Sequence, residues 1–285
     1  MTIKAACAAG LLMLIPGFAA AQSWQPQANA PYRYAAKTSR NCVDRAHFPN
    51  FLAQARTEAQ RQGIGQRGLA ALDGLSFDEG VVSRDRGQKV FTQTFEEFSG
   101  RMVPPRLGPA RKRMQQHAQL LGRIERDFGV PPGVLVAIWG LETDFGAYLG
   151  TFPTVRALAT LAYDCRRPEK FRPELIDMLK IVDRGDIDPA TAKGAWAGEI
   201  GQTQFMPSSY MKHAIDYDRD GRIDLVRSIP DVLGSTANYL KNYGWQRGQG
   251  WGPGQPNFKV IQDWNKAEVY AQTIAYFGER LESGR

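Results

Sequence analysis

Residues 134–146 read Val134-Leu135-Val136-Ala137-Ile138-Trp139-Gly140-Leu141-Glu142-Thr143-Asp144-Phe145-Gly146. Pro131-Pro132 opens a helix here, predicted to run to Gly146. Leu135, Ile138, Trp139 and Glu142 fall at i, i+3, i+4 and i+7, one face of a 3.6-residue helix. Glu142 therefore shares its face with large apolar side chains. A carboxylate in that setting loses hydration, which disfavours its charged form and raises its pKa. A general acid working near neutral pH needs that property. The other reading of the segment is a structural glutamate paired with an arginine. Asp144 is two residues on, a rotation of about 200°, so it is not expected to face the same bond as Glu142.

Upstream, Ala110, Met114, His117, Leu121, Ile124 and Phe128 step by four, three, four, three and four. That spacing predicts one helix from Pro109 to Gly129. Further helices are expected over 48–62, around Leu69–Leu72 and Val90–Phe98, over Thr154–Tyr163 and Pro168–Asp183, from Pro207 to Ile215, from Pro230 to Tyr243, and over Lys266–Leu281. Lys259–Ile261 reads as a short strand. The class is mainly α with few short strands. No long linker separates the helices, which favours one body with an N-terminal helical portion packed on it.

The chain has 285 residues, 43% of them hydrophobic and 23% charged. That suffices for an ordinary core and excludes a disordered chain. No fixed-period repeat or sustained heptad occurs, and only one stretch near the N-terminus is apolar for long. Residues 1–21 read as a cleavable secretory leader: Lys4, an apolar run from Ala5 to Ala20, and an Ala19-Ala20-Ala21 cleavage site. Gly10, Pro16 and Gly17 break the run, which is short for a span of ~20 residues. Cys7 precedes the apolar core, so it is not placed for lipid attachment. Residues 22–44 are a polar, Pro-, Gln- and Ala-rich lead-in.

Losing the leader leaves Cys42 and Cys165, which in an oxidising compartment either form one disulfide or remain two buried thiols. It also removes Lys4, taking the formal charge from +7 to +6. A basic exported protein is drawn to anionic polymers such as a cell wall or membrane surface. No nucleic-acid motif is present, so nucleic acid is not an expected partner.

The second informative stretch is Gly198-Glu199-Ile200-Gly201-Gln202-Thr203-Gln204-Phe205-Met206-Pro207-Ser208-Ser209-Tyr210. Its small residues let backbone approach a ligand, and Gln204 offers donor and acceptor groups. Alone it reads equally as a turn before a helix.

Together the motifs carry a resemblance. Gly140-Leu141-Glu142-Thr143-x-Phe145-Gly146, Gly201-x-x-Gln204-Phe205-Met206-Pro207-Ser208-Ser209-Tyr210, Gly234-Ser235-x-Ala237-Asn238-Tyr239, and Trp264-Asn265 with Tyr270-Ala271 resemble the lytic murein transglycosylases of the membrane-bound B type (family 3). The likeness runs from about residue 45 to the C-terminus. It implies a transglycosylase domain over 45–285 with a lysozyme-like core over about 105–285. The implied reaction cleaves the β-1,4 bond between N-acetylmuramic acid and N-acetylglucosamine in peptidoglycan, leaving 1,6-anhydromuramoyl ends. Glu142 would act as acid and then base, with no second carboxylate and help from the substrate's N-acetyl group. The chemistry would need no cofactor.

The resemblance also places Gln204, Tyr239, Asn265 and Tyr270 along the saccharide cleft. Asn265, with Glu268 three residues on, reads alternatively as a capping box. Trp264 stands where the family often has Tyr, so a hydroxyl contact is lost. Ala195 replaces a serine thought to orient the acid, and Tyr239 is the replacement candidate. Glu199 is the residual candidate for a second carboxylate. The implied setting is the periplasm, with peptidoglycan strands as partner, peripheral association with the envelope, and a monomeric state.

Asp216-Tyr217-Asp218-Arg219-Asp220-Gly221-Arg222-Ile223-Asp224 follows the EF-hand pattern, with acids at 1, 3, 5 and 9, Gly at 6 and the Arg222 carbonyl at 7. Position 12 is Arg227 rather than Glu. The family has a variant loop closed by a later Asp, and Asp231 is the nearest match. A structural Ca²⁺ is expected there, against an alternative of a simple acidic turn.

Weaker signals point to structure. His47, His117 and His213 lack metal-ligand spacing, and His117 lies on a packed stripe. Ser208-Ser209 lacks a nucleophile elbow. Arg111-Lys112-Arg113 reads as a solvated helix face. Trp245 and Trp251 either stack on glycan or cap the core. Two rival functions remain, a hydrolytic muramidase on the same scaffold and a non-catalytic peptidoglycan-binding scaffold.

Overall fold

The computed structural model describes residues 44–87 and 93–284. The leader, the lead-in up to residue 43 and Cys42 lie outside them. In chain order the described helices are α1 (Phe48–Arg61), α2 (Gln66–Ala70), α3 (Glu79–Arg86), α4 (Phe95–Met102), α5 (Pro104–Gln116), α6 (Ala118–Phe128) and α7 (Pro132–Thr143). There follow α8 (Thr154–Tyr163), α9 (Pro168–Arg184), α10 (Pro207–His213), α11 (Ile229–Asn242), α12 (Phe258–Trp264) and α13 (Glu268–Glu282). Strands β1 (Phe152–Pro153) and β2 (Lys193–Gly194) pair antiparallel, Phe152 opposite Gly194.

Helix α7 is the axis of the fold. Every residue from Gly133 to Leu141 is buried, because the segment is apolar on all sides. Each large side chain buried there contributes roughly 1.5–3 kcal/mol. Helix α13 lies along α7, while α5, α6 and α11 pack on its other faces. The approach of α13 requires a glycine. A Cβ on Gly133 would stand 2.7 Å from the Gly278 carbonyl oxygen, and the Gly133 N–H donates to Glu282 Oε1 at 2.6 Å.

Helices α8 and α9 form a second pair that carries the N-terminal helices. Phe48, Phe51 and Phe77 gather round Tyr163, with Phe51 and Tyr163 centroids 5.2 Å apart. Asp183 of α9 accepts the Gly65 and Gly68 N–H groups at 2.8 and 3.0 Å, capping α2. Helix α3 is fastened by charge. Asp85, 1% exposed, pairs with Arg166 at 2.7 Å and with Arg167, and Arg86 pairs with Asp164 at 2.9 Å. These ion pairs flank Cys165, which is disulfide-bonded.

The mainly α class and the Thr154–Tyr163 and Pro168 helices agree with the periodicity. Several expectations are corrected. The stripe from Pro109 to Gly129 is two helices, α5 and α6, separated at His117 (φ −110°, ψ 19°), and Pro109 lies inside α5. The bend sets His117 and the end of α5 against Trp139, whose ring lies 5.9 Å from His117 and under Arg113 at 5.7 Å. A one-residue break leaves the apolar phase intact, so spacing does not register it. Arg113 is accordingly half-buried rather than part of a solvated face. Lys259–Ile261 lies within α12, where Val260 and Ile261 are buried, so the β-branched pair misleads. Helix α4 begins at Phe95 behind a Thr94/Glu97 capping box, and residues 90–92 of the helix expected there lie outside the described residues. Helix α7 stops at Thr143, three residues short of Gly146.

Trp245 and Trp251 close the core. Trp245 is buried and its indole N–H donates to the Gly129 carbonyl at 2.9 Å, while Trp251 donates to Ala275 at 3.3 Å. Among the described residues no helix is long and apolar enough to cross a membrane.

Candidate active site

Glu142 sits in the last turn of α7, half-buried. The helix ends because Asp144, Phe145 and Gly146 all adopt positive φ (51°, 61° and 83°). Asp tolerates the left-handed region better than most residues. Its carboxylate turns away and pairs with Arg106 Nε at 2.8 Å, as the rotation argument requires. Arg106 also donates to the Gly140 and Met102 carbonyls at 3.0 and 2.8 Å, pinning α5 to the end of α7.

The donors to Glu142 come from the C-terminal elements. The Trp264 indole N–H donates to Glu142 Oε1 at 3.0 Å, and the Tyr270 side chain supplies a second hydrogen bond. Tyr239, the expected replacement partner, points elsewhere; its hydroxyl donates to the Asp263 carbonyl at 2.9 Å, and the residue is 6% exposed. Trp264 is thus a donor rather than a loss, since an indole carries an N–H. Its ring stands edge-on to Phe205 at 5.4 Å and to Tyr239 at 4.9 Å. Burial pushes the Glu142 carboxyl up to about 7, against the pull of the Trp264 and Tyr270 hydrogen bonds, and the charge of Glu199 adds to the rise. Burial and the neighbouring Glu142 charge also push the Tyr270 phenol upward, which keeps it a donor.

The 198–206 turn lies beside this group, with Phe205 against the Trp264 ring and the Glu199 charge felt at Glu142. The Ile200 and Phe205 N–H groups donate to each other's carbonyls at 2.8 and 2.9 Å. Glu199 Oε2 accepts the Ala197 N–H at 3.0 Å, and burial raises its pKa. Gln204 has φ 54° and its amide donates to the Gly201 carbonyl at 2.8 Å and to Leu149 at 3.4 Å.

Gln202, which the spacing does not single out, is the buried fastener. It accepts from Trp139 Nε1 at 2.8 Å and donates to Val226 at 2.7 Å, and its carbonyl accepts the Thr143 hydroxyl at 2.5 Å. Asn265 Oδ1 accepts the Ala267 N–H at 3.0 Å. That is an Asx turn before α13, whose N-cap is Ala267, rather than a capping box.

Apart from the Glu142 group, the acidic loop brings Asp216, Asp218 and Asp231 together, with one oxygen of each within 4.8 Å of the others. Asp231 is buried at the start of α11 and accepts the Tyr217 and Asp224 N–H groups at 2.8 and 2.9 Å. Asp220 and Asp224 lie outside that cluster. Each uses an oxygen on backbone N–H groups, Asp220 on Arg222 at 2.8 Å and Asp224 on Val226 and Arg227 at 2.9 Å. Burial raises the Asp231 carboxyl and the Asp218 charge adds to that rise. Three crowded carboxylates, one of them buried, suit a hard divalent cation.

The chain is 41% identical to the membrane-bound lytic murein transglycosylase B of Escherichia coli K12 over 150 residues, 50% of this chain and 41% of that one. It therefore spans less than half the length of that relative. Among solved structures it is similar to SltB3 of Pseudomonas aeruginosa in complex with NAG-NAM-pentapeptide, with a TM-score of 0.79, 30% identity, and coverage of 84% of this chain and 80% of that one. It is also similar to the Escherichia coli lytic transglycosylase Slt35 in complex with calcium, with a TM-score of 0.72, 25% identity, and coverage of 86% and 95%. Residues 47–255 match the family described as the transglycosylase SLT domain, and the chain belongs to that family.

Proposed function

We propose that this protein is an exported, periplasmic lytic transglycosylase. It would cleave the β-1,4 bond between N-acetylmuramic acid and N-acetylglucosamine in peptidoglycan and leave 1,6-anhydromuramoyl ends. The observation that carries the reading is Glu142, a half-buried carboxyl with a pKa near 7 and two neutral donors, Trp264 and Tyr270. Near neutrality such a group is present both as acid and as base. Protonated, Glu142 gives its proton to the glycosidic oxygen as the bond to C1 breaks. The carboxylate so formed accepts the two donors and takes the proton of the muramoyl C6 hydroxyl, whose oxygen bonds to C1. The proton is returned to Glu142, no water is consumed, and the steps use no cofactor.

The other residues divide by position. Tyr270 holds the acid directly. Tyr239 supports Trp264 from behind. Gln204 and Asn265 present polar groups at the cleft walls for the sugar's amide and hydroxyls. The basic, leader-bearing chain fits a monomer working at the envelope, with glycan strands as its partner. Asp216, Asp218 and Asp231 would hold a structural Ca²⁺, a reading supported by the calcium complex of Slt35.

A hydrolytic muramidase is the second reading, favoured by Glu199, whose charge reaches Glu142. Mass spectrometry of products from purified sacculi separates the two. Anhydro ends support the transglycosylase; reducing ends heavier by one water support the hydrolase. Glu142→Gln should abolish digestion while keeping sacculus binding. Wild-type protein that binds sacculi without clearing them would instead mark a scaffold.

A further inference from the structure

Three large apolar side chains are exposed among the described residues: Tyr148 (63%), Tyr243 (42%) and Val226 (38%). Scattered exposed apolar residues need no explanation. The two tyrosines differ in how they are mounted, because each is fixed to one of the two structures that hold Glu142.

Tyr148 lies on the turn that leaves α7. Its N–H donates to the carbonyl of Thr143, the residue after the acid, at 3.0 Å. The next carbonyl, Leu149, accepts the Gln204 amide at 3.4 Å. Glycines clamp the turn at both ends. Gly146 (φ 83°) leaves no room for a Cβ beside the Gln202 side chain, and a Cβ on Gly150 (φ 106°) would fall 2.0 Å from the Gly194 carbonyl oxygen. The backbone under Tyr148 is therefore set, one residue from the carbonyl that Gln204 reaches, and its side chain is 63% exposed.

Tyr243 is mounted from the other structure. Its ring stacks on Tyr239 with centroids 4.4 Å apart and planes 16° from parallel. Tyr239 is edge-on to Trp264, whose indole N–H reaches Glu142. The aromatic series thus runs from the acid outward and ends in an accessible ring. Tyr239 itself is 6% exposed, so the accessible ring of the series is that of Tyr243.

We infer that Tyr148 and Tyr243 are saccharide-stacking residues that extend the Glu142 cleft, each offering an aromatic face to the apolar face of a pyranose ring of the glycan strand. This rests on the glycan reading above. A pyranose carries axial C–H groups on one face and hydroxyls at its edge. A restrained tyrosine matches both, ring to C–H and hydroxyl to edge, and loses little conformational freedom in doing so. Such contacts are made before chemistry, so they act on binding and KM rather than on kcat.

The test uses the full chain. In a Glu142→Gln background, binding of a soluble N-acetylglucosamine hexamer is measured by calorimetry for Tyr148→Ala and Tyr243→Ala and for the Phe and Trp replacements. Each alanine variant should bind about three- to tenfold more weakly, and the aromatic replacements should stay close to the parent. In the active background, KM on solubilised glycan should rise while kcat holds. Parental affinity in either alanine variant overturns the assignment for that residue, as does a Phe variant as weak as the Ala variant. Melting curves of each variant separate a lost contact from a lost fold, and Tyr148, mostly in solvent, gives the cleaner arm. Wild-type products are read alongside. Anhydro ends together with unaltered binding in the alanine variants would sink the subsites alone, whereas wild-type protein that neither binds nor clears sacculi would sink the glycan reading itself.

Discussion

The indole N–H of Trp264 lies 3.0 Å from Oε1 of Glu142 and opposes the effect of burial on that carboxyl. A residue at the end of α12 thereby bears on the carboxyl of a residue 122 positions earlier in the chain.

Trp264→Phe keeps a ring against Phe205 and Tyr239 and removes the donor. A hydrogen bond to a charged group is worth about 1.5–3 kcal/mol, and its loss disfavours the carboxylate. The limb of the pH–kcat/KM profile on which activity falls as Glu142 ionises should move upward from near 7 by about one unit or more. A profile that coincides with the wild type would show that the indole does not tune the acid.

Glu142 should weaken the fold as pH rises. Its carboxyl holds its proton more tightly in the folded state, about 7 against an ordinary value of 4.5. Stability therefore falls with rising pH between those values, by as much as about 3 kcal/mol, and is level below and above them. Glu142→Gln removes the penalty. Urea unfolding should find the variant more stable at pH 8 and equal to the wild type near pH 4; a constant difference across that range would contradict the shift.

Asp85 is buried between Arg166 and Arg167 beside the disulfide-bonded Cys165. Asp85→Asn leaves two guanidinium groups without their counter-charge. Breaking a buried pair on one side costs about 3–5 kcal/mol. The midpoint of thermal unfolding should drop by several degrees, with product identity unchanged. A variant as stable as the parent would mean that the arginines re-pair with other acids.

Calcium should raise the melting temperature of chelator-treated protein, and Asp218→Asn should abolish the rise. Asp218 is the member to change, because it is exposed and its other ties are hydrogen bonds from the Ser228 hydroxyl at 2.8 Å and the Asp220 N–H at 3.3 Å. Asp231 also staples two backbone N–H groups, so its loss would damage the loop regardless of metal. An equal calcium response in wild type and Asp218→Asn would remove that carboxylate from the site.

The sequence by itself determined the helical class and the axis of the fold, and singled out Glu142 as the candidate acid. The apolar run around Glu142 states both that α7 is buried and that a carboxylate has been drawn in with it, and period and desolvation are local properties. Asp144 was excludable for the same reason, since its angle follows from helix geometry. The tertiary structure alone decided what surrounds Glu142. Trp264 and Tyr270 reach it from remote segments, Tyr239 turns to Asp263, and Gln202 ties Trp139 to Val226 across the 198–206 turn. Hydrogen-bond partners depend on how distant segments cross, and a side chain's type lists what it can donate without saying to whom. The split at His117 and the helix over Phe258–Trp264 belong to the same class, because packing against Trp139 and beneath α13 outweighed the local signal.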